Sequence, residues 1–274
     1  MENELAHLSI NEEEEDAILI PTDPNREKEG EFFQLVGCFL TASMIHFSAM
    51  KSTMANLWHP VRGVRIRDLG ERRFLFQFFH AVDMDRVLKG SPWTFNNHLL
   101  ILYKLKVGED PLQVPLVFTP FWVQIHEVPI GLYSENLAMQ MGNFLGNFLE
   151  YDVSNLGKEN RNFMRIRVQI DVRRPLKRRK QILYGERRLY VTFKYERLSL
   201  FCFFCGRLGH RDSFCETKMN IGVEITDLGW DLSIRAQSQR SLSMKSIWLR
   251  EETDDDSGGL GEENLRGPNG ESRR

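Results

Sequence analysis

The stretch GVRIRDLGERRFLFQFF, residues 63–79, contains two runs of branched and aromatic residues joined at a Gly-Glu turn signal. Two such runs around a short turn predict a β-hairpin. Upstream, residues 32–40 predict a strand, and residues 46–59 place Phe and Met side chains on one face of a helix that ends before Pro60. Downstream, a short helical pattern precedes a strand at 98–105. The predicted order is therefore β-α-β-β-α-β.

This order is typical of an α+β sandwich of the ferredoxin-like or RNA-recognition-motif-like (RRM-like) kind. We predict such a domain over residues 31–107, with two helices on one sheet face and the other face available. With Gln77 facing outward, Phe74, Phe76 and Phe78 point into the core. We favour this interpretation over an aromatic platform that stacks bases.

A second, mixed α/β segment is predicted over residues 117–197, after a proline-punctuated linker. Its pattern gives four strands, a helix with Ser134 at its N-cap, and a basic loop from Arg173 to Arg188 between the last two strands. Whether this segment extends the first sheet or forms its own is open at this point.

The charges are segregated along the chain. Residues 1–31 hold eleven acidic and two basic side chains, and residues 251–274 hold eight and three. By contrast, residues 161–197 hold thirteen basic and three acidic side chains. We expect residues 1–30 to be a disordered acidic N-terminus and residues 219–274 to be a linker and a disordered acidic tail. The basic body between them is the charge pattern expected of a protein that binds nucleic acid.

Three of the four cysteines and one histidine fall in the sequence CFFCGRLGHRDSFC, with the spacing C-x2-C-x4-H-x4-C. We predict a zinc knuckle over residues 198–218 that holds one structural Zn²⁺. The predicted ligands are Cys202, Cys205, His210 and Cys215. Gly206 and Gly209 are expected to have positive φ where the backbone folds around the ion. The alternative is a set of buried free thiols. Four protein ligands leave no open position for catalysis, and zinc would supply most of the folding energy of so short a segment.

Aromatic and basic residues surround the predicted ligands. Stacking of Phe203 on an unpaired base, with Arg207 and Arg211 on phosphates, would suit single-stranded RNA or DNA. The basic loop is the second candidate for backbone contacts. Its predicted contact residues are Arg173, Arg174, Lys177, Arg178, Arg179 and Lys180. The last four also match a nuclear localisation signal.

The sequence contains no familiar motif for catalysis. No zinc-protease, phosphate-loop or nucleophile-elbow pattern occurs, so we expect no catalysis and no small-molecule substrate. The acidic N-terminus does not read as a secretory signal, and no apolar run approaches the roughly 20 residues that cross a bilayer. We therefore expect an intracellular protein of the nucleus or cytoplasm that does not bind membranes.

The cysteine-rich stretch resembles the retroviral-type CCHC zinc knuckle. With LWHPVRGVRIRDLG, GSPWTFNNHLLIL, FWVQIHEVP, RIRVQIDVRRPLKRRK and GWDLSIRA in this order, the chain also resembles plant proteins that pair an N-terminal domain of unknown function with such a knuckle. Those proteins are related to the first open reading frame of LINE-type retrotransposons. The resemblance spans about residues 32–240 and implies zinc and nucleic-acid binding, with an RNA-binding-like N-terminal fold. The chain lacks a Y-x-D-D polymerase signature.

Two hypotheses follow from the sequence. The first is a retroelement-derived, non-catalytic protein that binds single-stranded nucleic acid through a basic body and a structural zinc knuckle. The second is a module for protein–protein interaction that uses the knuckle and the sheet.

Overall fold

The computed structural model of the protein describes residues 33–153, 162–221 and 229–237. The predicted disordered ends, residues 1–30 and most of 219–274, lie outside these residues. Among the helices described, none is long and apolar enough to cross a membrane.

The N-terminal layer is a five-stranded antiparallel sheet with two helices on one face. Its elements are β1 (Phe33–Phe39), α1 (Phe47–Trp58), β2 (Val64–Gly70), β3 (Arg73–Phe78), α2 (Ala81–Gly90), β4 (Trp93–Phe95) and β5 (His98–Lys104). The strand order is β2-β3-β1-β5-β4. The α+β class and the ferredoxin-like order of elements are confirmed, and β4 is an added strand that forms a hairpin with β5.

The two helices cover the sheet face that carries alternate residues of β3. Phe74, Phe76 and Phe78 are buried in one cluster with side chains of α1 and α2. Trp58 of α1 packs edge-on against Phe76, with 5.2 Å between ring centroids. These phenylalanines are core residues, as predicted.

The opposite face of this sheet is largely covered, which corrects the prediction that it is available; only its β2 edge, with Arg65 and Arg67, is exposed among the described residues. Val114, in the linker after β5, is buried against Val36 and Leu75. The guanidinium of Arg73 holds the linker there by donating hydrogen bonds to the carbonyl oxygens of Pro111 (3.1 Å) and Val114 (2.9 Å). Because Val36 and Leu75 are apolar, covering them removes hydrophobic surface from water.

The remaining part of that face joins the two layers of the molecule. Leu99 and Ile101 of β5 are buried in the same cluster as residues of the second sheet, and Cys38 of β1 packs against it. Burial raises the pKa of the Cys38 thiol. The two layers therefore share one core.

The second layer is a separate five-stranded antiparallel sheet, which settles the question left open by the sequence. Its elements are β6 (Phe118–His126), α3 (Glu135–Leu145), β7 (Asn147–Tyr151), β8 (Phe163–Asp171), β9 (Arg179–Tyr184) and β10 (Arg187–Tyr195). The strand order is β7-β8-β6-β10-β9. The Ser134 hydroxyl caps α3 by accepting a hydrogen bond from the Leu137 amide at 3.2 Å.

The two sheets have the same topology. In chain order, the strands of the second sheet occupy the places of those of the first, and α3 corresponds to α1. No helix corresponds to α2, because residues 172–178 connect β8 directly to β9. The core of this layer also contains Phe201, Leu208 and Ile234, which follow the sheet in sequence.

The predicted basic loop from Arg173 to Arg188 is wrong in its central part. Residues 179–184 form β9, which pairs with β10 through a tight turn at Gly185, where φ is +58°. Five of the six residues of β9 are exposed. An edge strand with so little burial has no alternation of apolar and polar residues from which it could be predicted.

Candidate metal centre and nucleic-acid interface

The four predicted ligands lie together. One ligand atom from each of Cys202, Cys205, His210 and Cys215 lies within 4.8 Å of all the others. The Cys205 Sγ and His210 Nε2 atoms are 3.3 Å apart. Tetrahedral zinc with ordinary bond lengths requires about 3.8 Å between sulfurs and about 3.5 Å from sulfur to nitrogen. The cluster therefore fits a four-coordinate zinc site.

The backbone around the cluster is shaped by two glycines and one aspartate. Gly206 and Gly209 have φ of +72° and +93°, as the sequence predicts. Asp212 Oδ1 accepts a hydrogen bond from the Phe203 amide at 2.6 Å and so fixes the turn between the first two cysteines. Asp212 was not predicted as a site residue. The sequence signal that could have identified Asp212 is an acidic residue within the knuckle that is not itself a zinc ligand.

The thiols are in different electrostatic environments. Burial is the main cause that raises the pKa of Cys202 and of Cys205. Burial also acts to raise the pKa of Cys215, but hydrogen bonds from the Lys218 backbone and the His210 ring outweigh it and lower that pKa to about 7. Because zinc binds thiolates, metal binding must displace protons from this cluster.

The knuckle, residues 202–215, is docked on the body of the protein. Phe201 and Leu208 are buried in the core of the second sheet. The Leu176 amide donates to the Gly206 carbonyl oxygen at 2.8 Å, so the connector between β8 and β9 contacts the knuckle turn directly. The sequence predicted a segment with almost no core of its own, and the structure shows that the body supplies one.

Residues 229–237, which we call the C-terminal strap, close over the knuckle. Trp230 Nε1 donates to the Leu176 carbonyl oxygen at 2.8 Å, and the Trp230 amide donates to the Phe203 carbonyl oxygen at 3.1 Å. A Cβ atom on Gly206 would lie 2.2 Å from the Trp230 ring. The strap then runs beside β10, where the Ala236 amide donates to the Tyr195 carbonyl oxygen at 3.0 Å. No role in the site was predicted for Trp230.

The predicted contact residues of the knuckle divide by exposure. Phe203 is half-buried, and its ring packs edge-on against Phe201 at 5.3 Å between centroids. Phe214, for which no contact with nucleic acid was predicted, is 72% exposed. Arg207 and Arg211 are exposed, and their guanidinium groups have no hydrogen-bond or ion-pair partner within the described residues. Phe214 is thus the more accessible aromatic ring.

Arg173 and Arg174 are partly neutralised. Arg173 donates to both carboxylate oxygens of Asp171, at 2.9 and 2.8 Å, and Arg174 lies 3.6 Å from the same carboxylate. The Arg173 hydrogen bond is the largest cause that lowers the pKa of Asp171. This pair therefore presents less positive charge than the sequence suggests.

The run from Lys177 to Lys180 does not form a single patch. Lys177 and Lys180 lie over the Phe144 ring of α3, at 3.9 and 4.3 Å from its centroid, and Lys177 Nζ also donates to the Phe144 carbonyl oxygen. Arg178 lies 5.3 Å from the Trp230 ring of the strap, and Arg179 lies 5.7 Å from the Tyr190 ring of β10. All four are exposed, but Lys177 and Lys180 lie against α3, whereas Arg178 and Arg179 line a separate cavity beside β10 and the strap.

Arg165 belongs to the structure of the second sheet rather than to a binding surface. Its guanidinium is stacked 3.8 Å from the Trp122 ring centroid and forms 2.8 Å ion pairs with Asp152 and Glu196. Burial acts to raise the pKa of Glu196, but hydrogen bonds from Arg165 and Gln124 outweigh it and lower that pKa. The net charge of residues 161–197 therefore overstates the basic surface that is free to bind an anion.

A cleft of about 730 Å³ lies between the knuckle and the N-terminal layer. The knuckle contributes Arg207, His210, Arg211 and Phe214 to its lining, and the N-terminal layer contributes residues 40–43 and 96–98. The unpaired arginines and the exposed phenylalanine thus line the same cavity as a predicted zinc ligand.

Two family models match parts of this chain. A domain of unknown function (DUF4283) matches residues 32–113, and a zinc knuckle matches residues 170–217. The second match begins in β8 and includes Leu176, which contacts the knuckle turn. The matched region thus contains the docking surface as well as the Cys and His cluster.

The chain is similar to an uncharacterized protein of Arabidopsis thaliana, with 27% identity over 138 residues. That alignment covers 49% of this chain and 43% of the relative, so the chain spans less than half of the relative's length. A solved structure entitled Sxl-lethal protein/RNA complex is similar with a TM-score of 0.22 and 16% identity, over 50% of this chain and 81% of that one. A structural likeness this weak carries no argument. The chain thus combines a region that matches a domain of unknown function with a zinc knuckle whose four clustered residues indicate zinc binding.

Proposed function

We propose that this protein binds single-stranded nucleic acid without catalysis, through a knuckle that holds one structural Zn²⁺. The observation that carries the proposal is the position of Arg207, Arg211 and Phe214 on a cleft that also contains Cys205 and His210. Zinc knuckles are among the modules that bind unpaired RNA bases.

The proposed role of the metal follows from its ligand set. Three thiolates and one imidazole complete a tetrahedron, so no position remains for a reactive water. Zinc would hold the turn that contains Cys205 close to the segment that contains His210. Arg207 and Arg211, which lie near these two ligands in sequence, would then stay on the same side of the knuckle. The metal is therefore proposed to act on binding only through the shape of the knuckle.

The proposed ligand follows from the exposed side chains. An exposed phenylalanine ring can stack on a base of any kind, and two unpaired guanidinium groups can meet the phosphates on either side of it. In a duplex the base faces are already stacked on each other. We therefore expect a preference for single strands over duplexes.

The origin and location of the protein are also proposals. The ordered set of motifs supports descent from a LINE-type retroelement. The basic run Lys177–Lys180 is exposed, as a nuclear localisation signal must be, and supports action inside the cell.

A second candidate function, protein–protein interaction, is favoured by the edge strand β9. This strand is at the end of its sheet, and Leu183 and Tyr184 are 72% and 58% exposed. An exposed strand edge with apolar side chains can bind an extended peptide as an additional strand. This function and nucleic-acid binding use different surfaces.

One titration distinguishes the two candidates. Purified, zinc-loaded full chain is titrated against single- and double-stranded RNA and DNA at two salt concentrations. We expect tighter binding to single strands and weaker binding at the higher salt concentration. No binding to any nucleic acid at low salt, together with a protein partner that remains bound after nuclease treatment, would refute the first proposal in favour of the second.

A further inference from the structure

The wall of the knuckle cleft that faces the zinc cluster is built by the N-terminal layer. It contains Asn96 and Asn97, which form the two-residue turn between β4 and β5. No motif in the sequence assigned these residues to a site. Asn96 and Asn97 line the same cavity as Arg207 and Arg211, so all four side chains can contact one ligand.

The turn is held against the knuckle by close contacts. The Leu200 amide, two residues before Cys202, donates to the Asn97 carbonyl oxygen at 3.2 Å. On the same side, a Cβ atom on Gly209 would lie 2.7 Å from Leu40 Cγ. The knuckle and the N-terminal layer are thus in direct contact among the residues that line the cleft.

The side chains that line the cleft offer hydrogen-bond donors without partners. Asn96 and Asn97 are exposed, and among the described residues their side-chain amides make no hydrogen bond. The same holds for the guanidinium groups of Arg207 and Arg211. Among the described residues, the lining contains one acidic side chain, Glu216, and three arginines, namely Arg207, Arg211 and the partly neutralised Arg173. The cleft therefore favours a ligand with negative charge and with polar edges.

The turn presents the two amides in a fixed backbone geometry. Asn96 and Asn97 have φ of +48° and +65°, and Phe95 pairs with His98 around them. These are the features of a type I′ turn, which aligns with the twist of the flanking strands. An asparagine amide carries a donor and an acceptor side by side and can pair with the edge of a base.

We propose that the knuckle cleft is a pocket for one unpaired nucleobase, and that Asn96 and Asn97 read its edge while Arg207 and Arg211 bind the flanking phosphates. Phe214, on the same lining, stacks on the face of this base. The volume of about 730 Å³ lies within the range of ordinary ligand pockets. This inference rests on the proposed function and gives the N-terminal layer the role of determining base preference.

The test replaces both asparagines by glycine, because glycine adopts positive φ freely and keeps the turn. The probes are short single strands that differ in one central base, and one strand with an abasic site at that position. We expect the zinc-loaded wild type to discriminate among the four bases. In N96G/N97G the ratio between the best and the worst base should fall about fivefold or more, with unchanged affinity for the abasic probe.

A second variant, N96D/N97D, also tolerates positive φ but places carboxylates beside the phosphates. It should weaken the binding of all probes, most of all at low salt. The matched control is Asn136→Ala on α3, which removes an exposed amide outside the cleft and should leave both affinity and base preference unchanged.

The outcomes separate this inference from the proposed function. If the wild type binds no single strand, both are wrong. If it binds all probes but N96G/N97G keeps the wild-type base preference and N96D/N97D keeps the wild-type affinity, the asparagines do not contact the base. In that case only the inference about the cleft fails.

Discussion

Replacement of Arg207 and Arg211 by glutamine tests which basic residues contact the nucleic-acid backbone. Both guanidinium groups are exposed and unpaired within the described residues, whereas Arg165 and Arg173 are each held by carboxylates. We therefore expect the double variant R207Q/R211Q to bind a single strand more weakly and with less dependence on salt.

The magnitude follows from counterion release. Each phosphate that a cationic side chain neutralises on a single strand contributes about 0.7 to the slope of log K against log salt. Loss of two contacts should make the slope shallower by about 1.4. Over a fourfold rise in salt, the wild type should then lose about sevenfold more affinity than the variant does.

The assay is fluorescence anisotropy with a labelled single strand at several salt concentrations. The matched control is R187Q/R188Q, which removes the same charge from two exposed residues of the β9–β10 hairpin and should leave the slope near the wild-type value. If R187Q/R188Q makes the slope of log K against log salt shallower by about 1.4 and R207Q/R211Q does not, the phosphates of the nucleic acid contact the hairpin and not the knuckle. The assignment of the phosphate contacts from unpaired arginines would then be refuted.

Cys205→Ser should abolish stoichiometric zinc binding, because a serine hydroxyl does not replace a thiolate in a site of this kind; elemental analysis of the purified variant measures this, and full zinc retention would contradict the ligand set. Gly206→Ala should lower the stability of the zinc-loaded protein by roughly 2–4 kcal/mol, because it combines a positive φ with a Cβ atom 2.2 Å from the Trp230 ring. Denaturant titration measures the loss, and an unchanged midpoint would show that Trp230 does not contact the turn. Glu196→Gln should cost about 2 kcal/mol near pH 7, where the wild-type ion pair with Arg165 is intact. Since the pKa of Glu196 is lowered on folding, this stabilisation is present above the ordinary glutamate pKa of about 4.3 and is lost as the pH falls through the folded value. Thermal melts of both proteins should therefore converge in acid, and a constant difference at all pH values would argue against the ion pair.

The first sheet could be predicted because its signals are local. Trp58 and the alternating phenylalanines of β3 are spaced so that each element buries one face, and this spacing is readable without knowledge of the partner element. The sequence could not predict which residues cover the other face of the first sheet. Val114 packs against Leu75 in a linker that Arg73 binds through a hydrogen bond, and such a long-range contact leaves no periodic signal.

The second sheet shows how a charge count can mislead. Arg165 is as basic in sequence as Arg178, but its carboxylate partners, Asp152 and Glu196, are 13 and 31 residues away. Only the fold reveals that one guanidinium is neutralised and the other is exposed beside Trp230. For the same reason the chelating residues of the knuckle could be predicted from their spacing, whereas Trp230 and the asparagine turn could not.

The second sheet has no counterpart of α2, and residues at the edges of the knuckle contribute to its core. In the first sheet, α2 buries Met84 and Val87 against the strands. In the second sheet, Phe201 and Leu208 at the edges of the knuckle contribute to the corresponding core. The same residues that complete this core flank the cysteine turn, so we expect removal of zinc to expose part of the sheet. We therefore predict that zinc binding and the folding of the second layer are coupled, so that chelation of the metal lowers the stability of the whole layer.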